Sequence, residues 1–193
     1  MANANAPFGL RPVKGVNGQV VTGAPRQYSH LASDGTALFI GDPVKLAGTA
    51  STINGVTMPD VVRAATGDVI LGVVTGIAPT SRDTLGYGAA STAYTLFVDD
   101  DPNTLFEIQD VNSGTALTVN DVGLNANFVV AAGSTYTNMS GVTLDNTTEA
   151  TTNTLDLKLV DVVNRADVDN TSSPLRFLVR INRHQFSNQV AGV

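Results

Sequence analysis

Turn-forming residues recur about every ten positions along this chain, and no window between them sustains a 3.6-residue apolar period. That combination leaves little room for long helices and favours many short strands joined by tight turns. The clearest strands lie near the C-terminus. Leu155, Leu157 and Leu159 alternate with Asp156 and Lys158, and the apolar set then shifts to Val160 and Val162, which predicts a β-bulge. After turn residues at Asp169 to Pro174, Leu175, Phe177, Val179 and Ile181 alternate with Arg176, Arg180 and Asn182. Such a strand has one face in a core and one face outside.

The same reading extends upstream. Leu38-Phe39-Ile40 leads through Gly41-Asp42-Pro43 into Val44 to Ala47, and Asn54-Gly55 is a two-residue hairpin signal. Val61 to Ala65 and Val69 to Ile77 follow; Gly72 and Gly76 inside the second run predict a bulge or a close backbone approach. Tyr94 to Asp110 reads as a central hairpin, its apolar runs hinged on Asp99-Asp100-Asp101-Pro102-Asn103. Ala116 to Val119 and Asn127 to Ala132 are further strand candidates, and Val142 and Leu144 stand at strand spacing. Residues 80–93 form a loop with little core potential. The expected fold is all-β: a sandwich or barrel of short antiparallel strands with an extended N-terminal arm.

The expected organisation is an N-terminal arm over residues 1–35, a β domain over 36–185 and a C-terminal tail over 186–193. The β domain divides into a small barrel at 36–79 and a sandwich at 94–185. Prolines 7, 12 and 25 among glycines 9, 15, 18 and 23 punctuate the arm, yet Phe8, Leu10 and Val13 are apolar residues that a free tail does not need. Two readings follow. The segment folds back over its own domain, or it reaches a neighbouring subunit.

Charged residues are 15% of the chain against 42% hydrophobic, so Thr, Ser, Asn and Gly must cover much of the surface. Uncharged polar groups cost less to desolvate than charges, which suits a surface that a partner will cover. The net charge of −6 argues against a phosphate backbone as ligand for the whole molecule, so no nucleic-acid partner is expected. No apolar run reaches the length of a membrane helix, and no membrane partner is expected. The N-terminal MANANAPFGL has neither the basic nor the apolar region of a signal peptide, which points to synthesis in a cytoplasm.

Candidate chemistry is sparse. There are no cysteines, so thiolate metal sites and cysteine nucleophiles are excluded. Asp99, Asp100 and Asp101 offer carboxylates to a hard cation, but they lack the alternating spacing of a calcium loop and read first as a solvated turn. His30 and His184 are far apart in sequence, and no G-x-S-x-G elbow presents a serine to either. His184 sits just past a strand, where a surface or interface role is ordinary. Gly86-Tyr87-Gly88-Ala89-Ala90-Ser91 lacks the third glycine of a dinucleotide loop. The expectation is a structural or interaction protein without catalytic residues, cofactor or metal.

Several segments resemble the head decoration, or cement, proteins of tailed bacteriophages. They are NAPFGLRPVKGVNG at 5–18, TALFIGDPVKLAG at 36–48, ILGVVTGI at 70–77 and YTLFVDDDPNTLFEIQ at 94–109. DVGLNANF at 121–128, GVTLDNTT at 141–148 and LRFLVRINRHQ at 175–185 continue the likeness in chain order. The resemblance implies a β-rich virion protein made in the host bacterial cytoplasm. Such a protein binds the exterior of the expanded capsid, often as a homotrimer, and bridges neighbouring capsomers. Its partners would be the major capsid protein and itself. Pro7, Phe8, Leu10, Arg11 and Pro12 are the expected capsid or subunit contacts. A tail, head-completion or glycan-binding virion module is the alternative.

Overall fold

The computed structural model describes residues 3–21, 25–111 and 114–192. Within them the chain forms β1 (Arg11–Gly15), β2 (Arg26–His30), β3 (Pro43–Ile53), β4 (Val56–Arg63), β5 (Gly72–Ile77) and β6 (Thr95–Asp99). There follow β7 (Thr104–Gln109), β8 (Asn125–Ala126), β9 (Phe128–Val129), β10 (Thr143–Leu144), β11 (Leu157–Val162) and β12 (Arg176–Ile181). The fold is all-β, as the alternation predicts. Among the described residues one 3₁₀ turn, Val119–Asp121, opens on Thr118, whose hydroxyl accepts from the Asn120 amide. The strand expected over Ala116 to Val119 is therefore absent, because Thr118 and Asp121 cap each other's backbone and turn the chain.

The strands build a closed barrel, β2-β4-β3-β5-β6, beside a five-stranded sheet ordered β1-β7-β12-β11-β8. Strands β9 and β10 form a small second layer. Every pairing between strands is antiparallel except β2 with β4. Tyr28, Val44, Val61, Leu71, Val74, Leu96 and Val98 fill the barrel. A larger core collects the inner faces of β7, β11 and β12 against Phe128, Val142 and Leu144. Ala64, Ile70 and Val73 join this second core, so barrel and sheet share buried surface.

Local signals held where they were local. Asn54 and Gly55 both take positive φ, at 51° and 80°, and link β3 to β4 as a tight hairpin. The pairing of β11 with β12 shifts between Leu159 and Asp161, where the apolar register changes. Another shift falls between Val74 and Gly76. At Gly72 an added Cβ would lie 2.2 Å from the Asp99 carbonyl oxygen, so this crossing of β5 over β6 admits only glycine.

Three expectations are corrected. First, β6 and β7 do not pair with each other. Strand β6 lies between β2 and β5 in the barrel, while β7 lies between β1 and β12 in the sheet. Asp99 to Asn103 is thus a corner where the chain leaves one body for the other. Second, the barrel does not end at 36 and 79. It closes only because β2 from upstream and β6 from downstream complete its circuit.

Third, the N-terminal segment is no extended arm; of its two readings, the one folded back over its own domain is what forms. Its β1 pairs with β7 as a sheet strand, and Leu10 is 1% exposed in the shared core. Residues 3–6 lie back on the same domain: Asn3 Nδ2 donates to carbonyls of Asp169, Ser172 and Pro174, and the Ala6 amide donates to Gln109 Oε1. The C-terminal segment is likewise tied down. The Val190 amide donates to Asn182 Oδ1, and Gly192 donates to the Thr151 carbonyl in a space where a Cβ would meet Ala150 at 3.0 Å. Of the residues read as arm and tail, 1–2, 22–24 and 193 (Gly23 among them) lie outside the described residues.

Candidate functional site

Four of the five expected contact residues come together at the seam between barrel and sheet. Phe8, Leu10, Arg11 and Pro12 line a mostly apolar groove of about 280 Å³, together with Ile40, Gly41, Val74, Thr75 and Met139. Pro7 stands outside it and is exposed. Sequence reasoning found Phe8, Leu10 and Pro12 as apolar residues in a polar segment. It missed the opposite wall, since Ile40 and Val74 read as ordinary strand residues and Met139 carries no local signal.

A pair of glycines sets the groove's floor. Gly9 and Gly41 take φ of +73° and +94°, and a Cβ on Gly9 would fall 2.4 Å from the Gly41 carbonyl oxygen. A Cβ on Gly41 would fall equally close to the Phe8 carbonyl oxygen. With both side chains missing, the Leu10 amide reaches the Gly41 carbonyl at 2.9 Å. This approach turns Leu10 into the core and leaves Phe8 half-buried on the rim. The wall behind Gly41 is fixed by Asp42, which is fully buried and accepts from the Phe39 amide and the Ser140 hydroxyl. Burial pushes the Asp42 carboxyl above its ordinary range.

The groove's open side is electrostatically organised. The Arg11 and Arg176 guanidinium carbons lie 5.1 and 5.6 Å from the centre of the Phe8 ring, a cation–π arrangement on both counts. Both arginines also approach Glu107, which is 1% exposed on β7. Arg165 completes the set with bonds of 2.8 and 3.1 Å to the two Glu107 oxygens. Hydrogen bonds to Asp167 and Glu107 raise the Arg165 pKa, so its charge is permanent. A carboxylate buried among three guanidiniums holds them in fixed directions, and Phe8 is clamped through them.

The remaining candidates are placed elsewhere. Asp99, Asp100 and Asp101 serve three separate local roles at the corner. Asp99 accepts from the Asp101 amide and the Thr104 hydroxyl, Asp100 pairs with Arg26 and the Tyr28 hydroxyl, and Asp101 accepts from the Asn103 amide. Burial and the Asp100 hydrogen bond lift the Tyr28 phenol to about 12. His30 is fully buried on β2, with Nε2 3.6 Å from Asp34 Oδ2, and burial lowers its pKa. His184 is also buried, which corrects its surface assignment. The segment after β12 pairs with Ile70, fastening sheet to barrel, and burial holds the His184 pKa at about 4. The Gly86–Gly88 stretch packs on the barrel through Tyr87, whose ring stacks 4.9 Å from that of Phe39.

Comparison with known proteins returns nothing: no family model, no curated protein and no solved structure matches the chain at a significant level.

Proposed function

We propose that this protein is a structural component of a tailed-bacteriophage virion. In this reading it binds the outer surface of the expanded capsid and stabilises it by bridging neighbouring capsomers, as a homotrimer made in the host bacterial cytoplasm. Its partners are the major capsid protein and further copies of itself. One observation carries the reading. Three separate segments that resemble head decoration proteins, at 5–18, 36–48 and 70–77, converge on a single preformed apolar groove.

The physics of such a role is mass action. A ligand that binds only the expanded lattice stabilises that form by an amount that grows with the logarithm of its free concentration above Kd. Copies that contact two capsomers at once gain avidity without new contacts. A rim held by the Gly9–Gly41 approach and the Glu107 arginine cluster suits this task, because a rigid site loses little entropy on docking.

The test mixes purified protein with expanded heads that lack it. Saturable co-sedimentation and a higher head-disruption temperature are expected. Phe8→Ala and Met139→Glu should weaken binding while leaving the melting temperature near that of the parent, since Phe8 is half-buried and Met139 is 38% exposed. Absence of saturable binding by the parent protein refutes the capsid role. Retention on a glycan array in its place would move the protein to the glycan-binding alternative.

A further inference from the structure

Cross-strand register assembles a row of cations on the outer face of the five-stranded sheet. Lys14 stands opposite Leu105, Leu105 opposite Arg180, and Arg180 opposite Lys158. Phe106, Phe177, Val179, Leu157 and Leu159 fill the inner face, so alternation turns this row outward. Arg11 and Arg176 occupy neighbouring positions on the same face, and Arg165 follows from the loop after β11. Arg11, Lys14, Lys158, Arg165, Arg176 and Arg180 are six of the chain's 11 lysines and arginines, gathered on one face of a molecule of net charge −6.

These six are not equally engaged. Arg11, Arg165 and Arg176 share Glu107 and Asp167. Among the described residues, Lys14, Lys158 and Arg180 have no carboxylate within the 4.0 Å of an ion pair. Lys158 Nζ donates to the carbonyls of Gly123 and Ala191, and Arg180 Nε donates to the Pro102 carbonyl. Like charges placed directly opposite on adjacent strands destabilise a sheet. Lys158 and Arg180 are so placed, and their head groups turn to different carbonyls. An anionic surface laid over the row removes the penalty and gains from it.

We propose that this face docks an acidic protein surface through Lys14, Arg180 and Lys158; on the capsid-binding reading, from which this inference follows, that surface belongs to the capsid lattice. The chemistry favours protein carboxylates over a phosphate backbone. The row crosses the sheet for only about 14 Å, three strand spacings, and Asp161 and Asp167 border it. A continuous polyanion would meet those carboxylates and the net negative field, whereas discrete acidic side chains can match the cations alone. The face also begins where the groove ends, because Phe8 on the groove's rim touches Arg11 and Arg176.

The experiment compares the parent protein with Lys14→Glu and with Lys158→Glu/Arg180→Glu, after thermal melts confirm that each is folded. Arg82→Glu, in the exposed loop before β6, is the control. Co-sedimentation with expanded heads is measured from roughly 50 to 300 mM NaCl, a range over which screening of exposed charges rises steeply. The parent should lose affinity about tenfold across that range. Each variant should bind at least about tenfold more weakly at low salt with a flatter salt response, and Lys14→Glu answers the question even if the double variant unfolds. Variants that bind like the parent overturn the proposal and leave the capsid role standing. No binding by the parent overturns both. Salt-sensitive self-association lost in the variants, or retention of duplex DNA lost in them, assigns the face to a different occupant and overturns it.

Discussion

Truncating Leu10 separates a docked N-terminal segment from a free arm. Leu10 is 1% exposed and belongs to the core shared by barrel and sheet. Leu10→Ala removes three carbons from that environment, which costs about 2.4 kcal/mol at roughly 0.8 kcal/mol per buried carbon. The cavity left in the shared core adds to this. Because Leu10 also lines the groove, part of the void opens to solvent and the added penalty is modest, for a total of about 3 kcal/mol, inside the usual range of 2–5 for such changes. For a chain of this size that corresponds to a melting temperature about 6–12 °C lower. Urea unfolding should show a lower midpoint with an unchanged slope, and Pro7→Ala, at an exposed neighbour, should change stability by less than about 0.5 kcal/mol. Deleting residues 1–13 should be worse than either, since it strips Leu10 from the core and β1 from the edge of β7. A Leu10→Ala protein within about 0.5 kcal/mol of the parent would refute the docked segment.

Gly72→Ala drives a Cβ to 2.2 Å from a backbone oxygen and should cost several times what Gly48→Ala does; Gly48, at φ +81°, faces open space and the cost there is about 1 kcal/mol of backbone strain, both read by thermal melts. Glu107→Gln leaves Arg11 without a charged acceptor and Arg165 and Arg176 with Asp167 alone; because Arg11 and Arg165 are well exposed, the loss should stay at about 1–3 kcal/mol, read by urea unfolding. The pH profile has opposing parts. Burial lifts the Asp110 and Asp156 carboxyls to about 6, above the unfolded 3.8, so each favours folding fully below 3.8 and loses that contribution as pH rises through 6. His184, held near 4 against an unfolded 6.5, stabilises above 6.5 and loses that contribution as pH falls through 4. Each shift is worth about 3 kcal/mol, so Asp156→Asn should make the melting temperature fall more steeply between pH 7 and 4 than in the parent; identical slopes would contradict the assignment.

What was legible in the sequence was local. Alternation located β11 and β12, the register change at Leu159 to Asp161 located a bulge, and Asn54-Gly55 located a hairpin. Pairing was not legible. The run from Tyr94 to Asp110 reads as two strands around a turn, and so it folds, but turn residues do not say whether the flanking strands return on each other. Here each already has two neighbours drawn from distant sequence, and the turn becomes a corner. The termini were only half-legible for a related reason. Proline and glycine near Leu10 suggested an arm, whereas the bonds that fasten it run from Asn3 to residues 169–174 and from Leu10 to Gly41. The groove was half-legible, its first wall in Phe8, Leu10 and Pro12 and its second supplied only by the fold.

On the function proposed above, this scaffold docks on the outside of an expanded phage head with its Phe8 groove and basic sheet face inward. A cryo-electron-microscopy map of expanded heads saturated with the protein tests it most directly. Ordered density is expected on the outer surface, spanning neighbouring capsomers, with the Arg11–Arg180 face against the lattice. Heads without added density, or density that presents this face to solvent, would contradict it.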